Sequence, residues 1–158
     1  IRLAVQSDYD DIWKIIQSVI ATGETYVFYP DSDRQKMLAY WCDPDAFTYV
    51  ATIDQKVVGT YVIRANRPDL GSHVANGSYM VSTDCTGKGI GKIMGLHSIE
   101  EARRLGFTAM QYNYVISTNT AAVHLWQSIG FTIVGEVPEA FYHHAHGYVS
   151  VYVMWRKL

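Results

Sequence analysis

The segment Thr86-Gly87-Lys88-Gly89-Ile90-Gly91-Lys92 concentrates the chemistry of this chain. Glycines at positions 87, 89 and 91 leave successive backbone N–H groups uncovered by side chains. An apolar, strand-like run, Val74 to Val81, precedes them, and a helix-forming stretch, Gly89 to Leu105, follows. Amides exposed at the positive end of a helix dipole attract anions. A phosphate or pyrophosphate is the expected guest, with Lys88 or Lys92 adding charge. Spacing sorts among the known phosphate turns. A P-loop needs G-x-x-x-x-G-K-[ST], but Gly87 to Gly91 is too short and neither Ser nor Thr follows Lys92. The dinucleotide fingerprint G-x-G-x-x-G is not present either, and the turn follows the fourth apolar strand rather than the first.

A second motif lies downstream: Asn119-x-x-Ala122-x-x-Leu125-Trp126-x-x-x-Gly130-Phe131. Ala122, Leu125, Trp126 and Ile129 recur at helical spacing, Thr118 or Asn119 suits the N-cap, and Gly130 suits the helix stop. In this order, the two motifs resemble those of the GNAT superfamily of N-acetyltransferases. There a short G-x-G turn binds the coenzyme A pyrophosphate, and N-x-x-A-x-x-L-Y-x-x-x-G-F follows. The resemblance implies acetyl-CoA as co-substrate and a direct acetyl transfer to an amine, without an acyl-enzyme. Backbone groups of Val81 and Thr83 would pair with the pantetheine arm. The amides of Gly87, Lys88, Gly89, Ile90, Gly91 and Lys92 would take the pyrophosphate, and Asn119 and Trp126 would sit beside the distal end of the coenzyme. The chain departs from that pattern twice. Thr86 stands where the family usually has Arg or Gln, which removes one phosphate donor. Trp126 replaces the tyrosine often assigned as the acid that protonates the thiolate. An indole N–H donates a hydrogen bond but not a proton, and a thiol of reference pKa about 8.5 leaves with little acid help.

A narrower resemblance concerns the acceptor. Ser72-His73-x-x-Asn76-Gly77, Asn113, Thr118-Asn119, Leu125-Trp126 and Ile133-Val134-Gly135-Glu136-Val137-Pro138 are similar to fungal N-acetyltransferases of proline analogues such as azetidine-2-carboxylate. It implies that Asn76, Asn113 and Asn119 hold a small amino acid and form the catalytic set. Against that stands a plainer role for Asn76 and Asn113 as strand residues that satisfy backbone groups. Glu24, Tyr26 and Tyr29 fall in the loop that covers the acceptor site in this superfamily, and one of the three is expected to touch substrate. His73 could relay a proton or hold a loop. Tyr79 and Tyr114 could face either pocket or core. His143-His144-x-His146 has no carboxylate or Cys partner at ligand spacing, so no metal is expected. Cys85 reads as a spectator. Two rivals to a small-molecule enzyme are a protein or peptide N-acetyltransferase and a non-catalytic acyl-CoA sensor.

Composition bounds the rest. The chain has 158 residues, enough for one domain spanning 1–158 with a full core. Its net charge of -2 gives no basic stripe for nucleic acid. Two cysteines make no disulfide framework, so a reduced, cytoplasmic setting is expected. No apolar run approaches the ~20 residues of a membrane span, and no targeting segment is visible. A homodimer is entertained.

The elements that must position these residues read as strand Arg2 to Val5, helix Asp8 to Ala21 with Ser7 as cap, and helix Ser32 to Tyr40 capped at Asp31 or Ser32. Strands Thr48 to Ile53 and Val57 to Ala65 follow across Asp54-Gln55-Lys56, then strand Val74 to Val81 and helix Gly89 to Leu105 stopped by Gly106. Strand Ala109 to Ile116, helix Thr120 to Ile129, and strands Thr132 to Val137 and Tyr148 to Trp155 complete the order. Alone it indicates a mixed α/β (α+β) domain. The resemblance adds the GNAT fold, a mixed sheet of about seven strands with four helices, its fourth and fifth strands splayed around acetyl-CoA.

Overall fold

A computed structural model describes all residues, 1–158. Seven strands form one sheet: β1 (Arg2–Leu3), β2 (Phe47–Ile53), β3 (Lys56–Ala65), β4 (Val74–Val81), β5 (Ala109–Ile116), β6 (Thr132–His143) and β7 (Gly147–Lys157). Four helices accompany it: α1 (Tyr9–Ile20), α2 (Arg34–Trp41), α3 (Ile90–Arg104) and α4 (Thr120–Ser128). The strand order is β1-β2-β3-β4-β5-β7-β6, and every pairing is antiparallel except β4 with β5.

The helices cover both faces of the sheet, which explains why its central strands are apolar on both sides. Ile12, Ile15, Ile16 and Ile20 form one buried stripe of α1 and pack with Met37, Leu38 and Trp41 of α2 against Val50, Val62 and Met80. On the other face Met94, Ile99 and Ala102 of α3, with Trp126 of α4 and Ile129 just after it, pack against Tyr49, Tyr61, Ile63 and Tyr112. The alternation within β2 and β3 is the ordinary period of two in a strand. Trp41 is tied down by polar contacts: its Nε1–H donates to Thr60 Oγ1 at 3.0 Å, and its carbonyl accepts from Thr48 Oγ1 at 2.8 Å.

Several boundaries differ from the sequence reading. Ser7 does not cap α1; it lies within a 3-10 turn, Gln6–Asp8, and Asp8 is the cap residue. Asp8 is engaged elsewhere, accepting from the Val5 N–H and, through both oxygens, from Arg2 at 2.7 and 2.8 Å. The α2 cap is Asp33, not Asp31 or Ser32, and it accepts from the Lys36 N–H at 3.0 Å. β6 does not stop before Pro138 but runs on to His143. It is an edge strand, so a missing N–H is tolerated, and the register slips between Val137 and Phe141. His143 therefore ends a strand, and only His144 to His146 turn the hairpin. The glycine stops hold as read. Gly106 and Gly130 take φ of 89° and 91°, and at Gly130 the turn is closed by Gly130 N–H to Gln127 and Phe131 N–H to Trp126.

Candidate functional site

β4 and β5 pair only at Val74 with Ala109 and Ala75 with Met110. Beyond that point they separate, and a cleft of about 550 Å³ opens between them. Asn76 stands at the fork, its Nδ2 donating to the Gln111 carbonyl at 2.9 Å just beyond the last paired residues. Backbone groups of Val74 and Ser82 bond towards β3 and its flank, so Gly77, Tyr79 and Val81 turn theirs to the gap. A peptide-like arm could add to this free edge.

The loop between α1 and α2 roofs the cleft. The Tyr26 hydroxyl accepts from the Tyr79 N–H at 3.0 Å and donates to the Tyr79 carbonyl at 2.8 Å, standing in for one step of the missing strand pairing. Its burial pushes the phenol pKa well up, so the hydroxyl stays protonated and keeps both bonds. Tyr79 itself lines the cleft, and its hydroxyl bonds Ser98 at 2.7 Å and accepts from Tyr112 at 2.9 Å. Burial pushes the Tyr79 phenol up to about 12. Trp126 lies 7% exposed against these rings, 4.7 Å from Tyr79 and 4.8 Å from Tyr112 between centroids. Gly95 makes the approach of α3 to α4 feasible, since a Cβ there would fall 3.0 Å from Trp126 and 2.8 Å from Ile129.

At one end the cleft reaches Thr83 and Thr86, beside the glycine turn. Gly87 and Gly89 both hold φ of 78°, a left-handed conformation natural to glycine, and no atom lies within 4 Å of where their Cβ would be. The first bond of α3 is Ile93 N–H to the Gly89 carbonyl, which leaves the amides of Ile90, Gly91 and Lys92 without backbone acceptors. The turn therefore presents open space and free donors to an anion. Thr83 lies beyond β4, at the start of a 3-10 turn, and its carbonyl accepts from the Thr86 hydroxyl at 3.1 Å. That contact also occupies the hydroxyl of Thr86. Lys88 is folded back, its Nζ donating to the Asp84 carbonyl at 3.2 Å, while Lys92 points into solvent.

The structure brings Asn76, Asn113 and Asn119 to one cleft, with Glu24, Tyr26, Tyr79 and Tyr114. Asn113 sits at a bulge in β5, where pairing with β7 skips from Tyr112 to Val115. Its Oδ1 accepts from Gln111 at 2.9 Å and its Nδ2 donates to Asn66 at 2.6 Å. Asn119 caps α4 through Oδ1, which accepts from the Ala122 N–H at 3.2 Å. Tyr114 is exposed, and its hydroxyl donates to the Ala140 carbonyl. His73 and Tyr29 do not join the cleft. His73 precedes β4 at the end where the strands still pair, its carbonyl accepting from Thr108, and Tyr29 is 79% exposed. Sequence reasoning missed Tyr112, Gln111 and Asn66, which have no motif and gain meaning only from neighbours distant in the chain.

Comparison with known proteins agrees with this geometry. Residues 13–131 match the model of the acetyltransferase (GNAT) family. A GCN5-related N-acetyltransferase from Kribbella flavida superposes with a TM-score of 0.95 at 40% identity, covering 99% of this chain and 96% of that one. The N-acetyltransferase aca1 of Schizosaccharomyces pombe is 35% identical over 113 residues, 70% of this chain and 53% of that protein. The chain thus spans about half the length of that relative. The fold is shared as well by yncA of Salmonella typhimurium, a structure holding acetyl-CoA, with a TM-score of 0.88 at 23% identity and coverage of 99% and 92%.

Proposed function

The chain belongs to the acetyltransferase (GNAT) family, and from that premise we propose that it transfers the acetyl group of acetyl-CoA to the amine of a small amino acid, with proline analogues such as azetidine-2-carboxylate as the leading candidates. One observation carries the reading: β4 and β5 part after Ala75 and Met110, and the cleft so formed runs to the glycine turn that opens α3. The residues present fit the donor. The free amides of Ile90, Gly91 and Lys92, above open space at Gly87 and Gly89, suit a pyrophosphate. The unpaired edge of β4 at Val81 suits the amide-bearing pantetheine arm, as an added strand would.

In the transfer, the neutral acceptor nitrogen attacks the thioester carbonyl carbon. A C–N bond forms, the C–S bond breaks, the thiolate leaves, and the surplus proton on nitrogen passes to water at the cleft mouth. Trp126 has no proton to give. Tyr79, at about 12, lies well above a thiol near 8.5, so proton transfer from it to the thiolate is uphill. The chain's contribution is therefore to position the two reactants. Asn76 and Asn113 border the gap with one amide hydrogen each still unused, and Asn119 keeps its whole Nδ2 group. These donors orient the acceptor. The relative from fission yeast carries the name N-acetyltransferase, which supports the reaction class.

The reading is tested by thiol release at saturating acetyl-CoA over azetidine-2-carboxylate, hydroxyprolines, other amino acids, polyamines and a basic peptide. Turnover concentrated in the amino acids is expected. Turnover of polyamines or peptide alone contradicts the acceptor class, and binding of acetyl-CoA without turnover of any amine makes the protein a sensor.

A further inference from the structure

The gap between β4 and β5 is closed by aromatic side chains on one face of the sheet. Alternate residues of β4 face α3 and α4: Ala75 is buried in that core, and Tyr79 and Val81 pack against it, whereas Met80 belongs to the core under α1 and α2. From β5, Met110 and Tyr112 join the α3–α4 side. There Tyr112 reaches across the gap, its hydroxyl donating to the Tyr79 hydroxyl at 2.9 Å. Ser98 of α3 spends its own proton on the Gly95 carbonyl at 2.8 Å, so Tyr79 is the donor in its 2.7 Å bond to Ser98. Trp126 packs against both rings. Tyr112 and Trp126 are only 4% and 7% exposed, and Tyr79 is the ring that the cleft meets most openly. The Tyr79 side chain lies along its own strand towards the fork. A Cβ at Gly77 would fall 2.6 Å from the Tyr79 hydroxyl oxygen and 3.0 Å from its ring. The space beside Gly77 on this face is therefore already full, and only a residue without a side chain tolerates the contact.

We propose that this tyrosine bridge gauges the acyl group: Tyr79, backed by Tyr112 and Trp126, closes the gap behind a two-carbon acyl chain and so selects acetyl-CoA over longer acyl-CoA thioesters. The inference rests on the acetyl-transfer reading above. With the pyrophosphate at the glycine turn that opens α3, and the arm along the β4 edge past Val81, the thioester enters from the α3–α4 side. The acceptor amine comes from the other side, under the α1–α2 loop. The acyl tail is then turned towards the aromatic floor, where Tyr79 is the first residue after Val81 on that face and the filled space at Gly77 lies beyond it. A methyl group rests against an aromatic face without strain. Each further methylene has to displace a ring that is hydrogen-bonded to β5 and α3 and wedged against Trp126, and well-packed interiors resist added volume. The Tyr79 proton is already spent on Ser98, so the residue acts on the donor by shape.

The test measures transfer to one amine of the panel from acetyl-CoA, propionyl-CoA and butyryl-CoA, in the wild type, Tyr79→Ala and Tyr79→Phe. The wild type is expected to favour acetyl-CoA over butyryl-CoA in kcat/KM by at least ~10-fold, the scale on which an apolar pocket refuses an added methylene. Tyr79→Ala should raise kcat/KM for butyryl-CoA in absolute terms, which mere loosening of the fold would not do. Tyr79→Phe keeps the ring and should keep most of the preference. Should Tyr79→Ala fail to fold, Tyr79→Leu, too short to reach Gly77, is read in the same way. Equal use of acetyl-CoA and butyryl-CoA by the wild type, a butyryl-CoA value that does not rise in the folded truncation, or a preference lost in Tyr79→Phe contradicts the proposal. If no amine turns over, the transfer reading fails on its own account, and calorimetric titration of the two thioesters decides the gauge. Butyryl-CoA binding at least ~10-fold weaker than acetyl-CoA in the wild type, with the difference gone in Tyr79→Ala, supports it. Equal affinities in the wild type, or a difference that survives the truncation, overturn it.

Discussion

Gly89 and Trp126 are the residues on which the donor side of the site turns. Gly89 combines a left-handed φ of 78° with empty space where a side chain would project. Gly89→Glu places both strain and negative charge at the proposed pyrophosphate site, and should weaken acetyl-CoA binding by at least ~10-fold in calorimetry. Undiminished affinity in a folded variant would show that the turn is not the phosphate site. Trp126 is packed among Tyr79, Tyr112 and Phe131 and carries no transferable proton. Trp126→Phe should therefore retain most of kcat, whereas a fall beyond ~100-fold, the scale of a lost general acid, would assign it a chemical role. Both positions could be found in the chain because their motifs are short and contiguous. The partners of the cleft asparagines, Gln111 and Asn66, could not, because they meet Asn76 and Asn113 only once the sheet has folded.

At the scale of elements, the decisive feature is a strand pair that stops pairing. Tyr26 spans 53 residues to hold the loop after α1 against the freed edge of β4. Tyr26→Phe removes the partner of a backbone N–H and a carbonyl at once, and should cost about 1–3 kcal/mol in chemical denaturation. It should also raise KM for the acceptor. Unchanged stability would mean that water or a neighbour replaces the phenol. A second latch fixes β1 to the start of α1. The Arg2 guanidinium beside Asp8 holds that carboxyl below the usual carboxylate range, and Asp8 is buried while Arg2 is half-exposed. A depressed pKa in the folded state adds stability that is complete above about pH 4 and is lost as pH falls through the lowered value. Asp8→Asn should thus be less stable than the wild type at pH 7, with the gap narrowing in acid; a constant gap would contradict the ion pair. The order of elements is legible in the chain because apolar runs alternate with helical periods. The caps are not legible, because Asp8 is drawn to Arg2 rather than to its helix and because Asp31, Ser32 and Asp33 are equivalent as sequence. Nor is the length of β6, because nothing local reveals that it is an edge strand, where Pro138 is harmless.

For the whole molecule, two apolar layers clamp the sheet, one under α1 and α2 and the other under α3 and α4. With β2, β3 and β4 held on one side and β5, β7 and β6 on the other, the gap between β4 and β5 is a break in an otherwise continuous sheet. On the proposed reading, donor and acceptor approach one another through that break from different loops, the glycine turn for one and the α1–α2 loop for the other. Such an arrangement needs no residue to carry the acetyl group. Mass spectrometry of the intact protein and of the small molecules, after incubation with acetyl-CoA and azetidine-2-carboxylate or another amino acid, examines this most directly. The account predicts CoA and N-acetylated amino acid in equal amounts, with the mass of the protein unchanged throughout. Acetyl groups accumulating on the protein, or acetyl-CoA bound and left intact beside every amine, would contradict it.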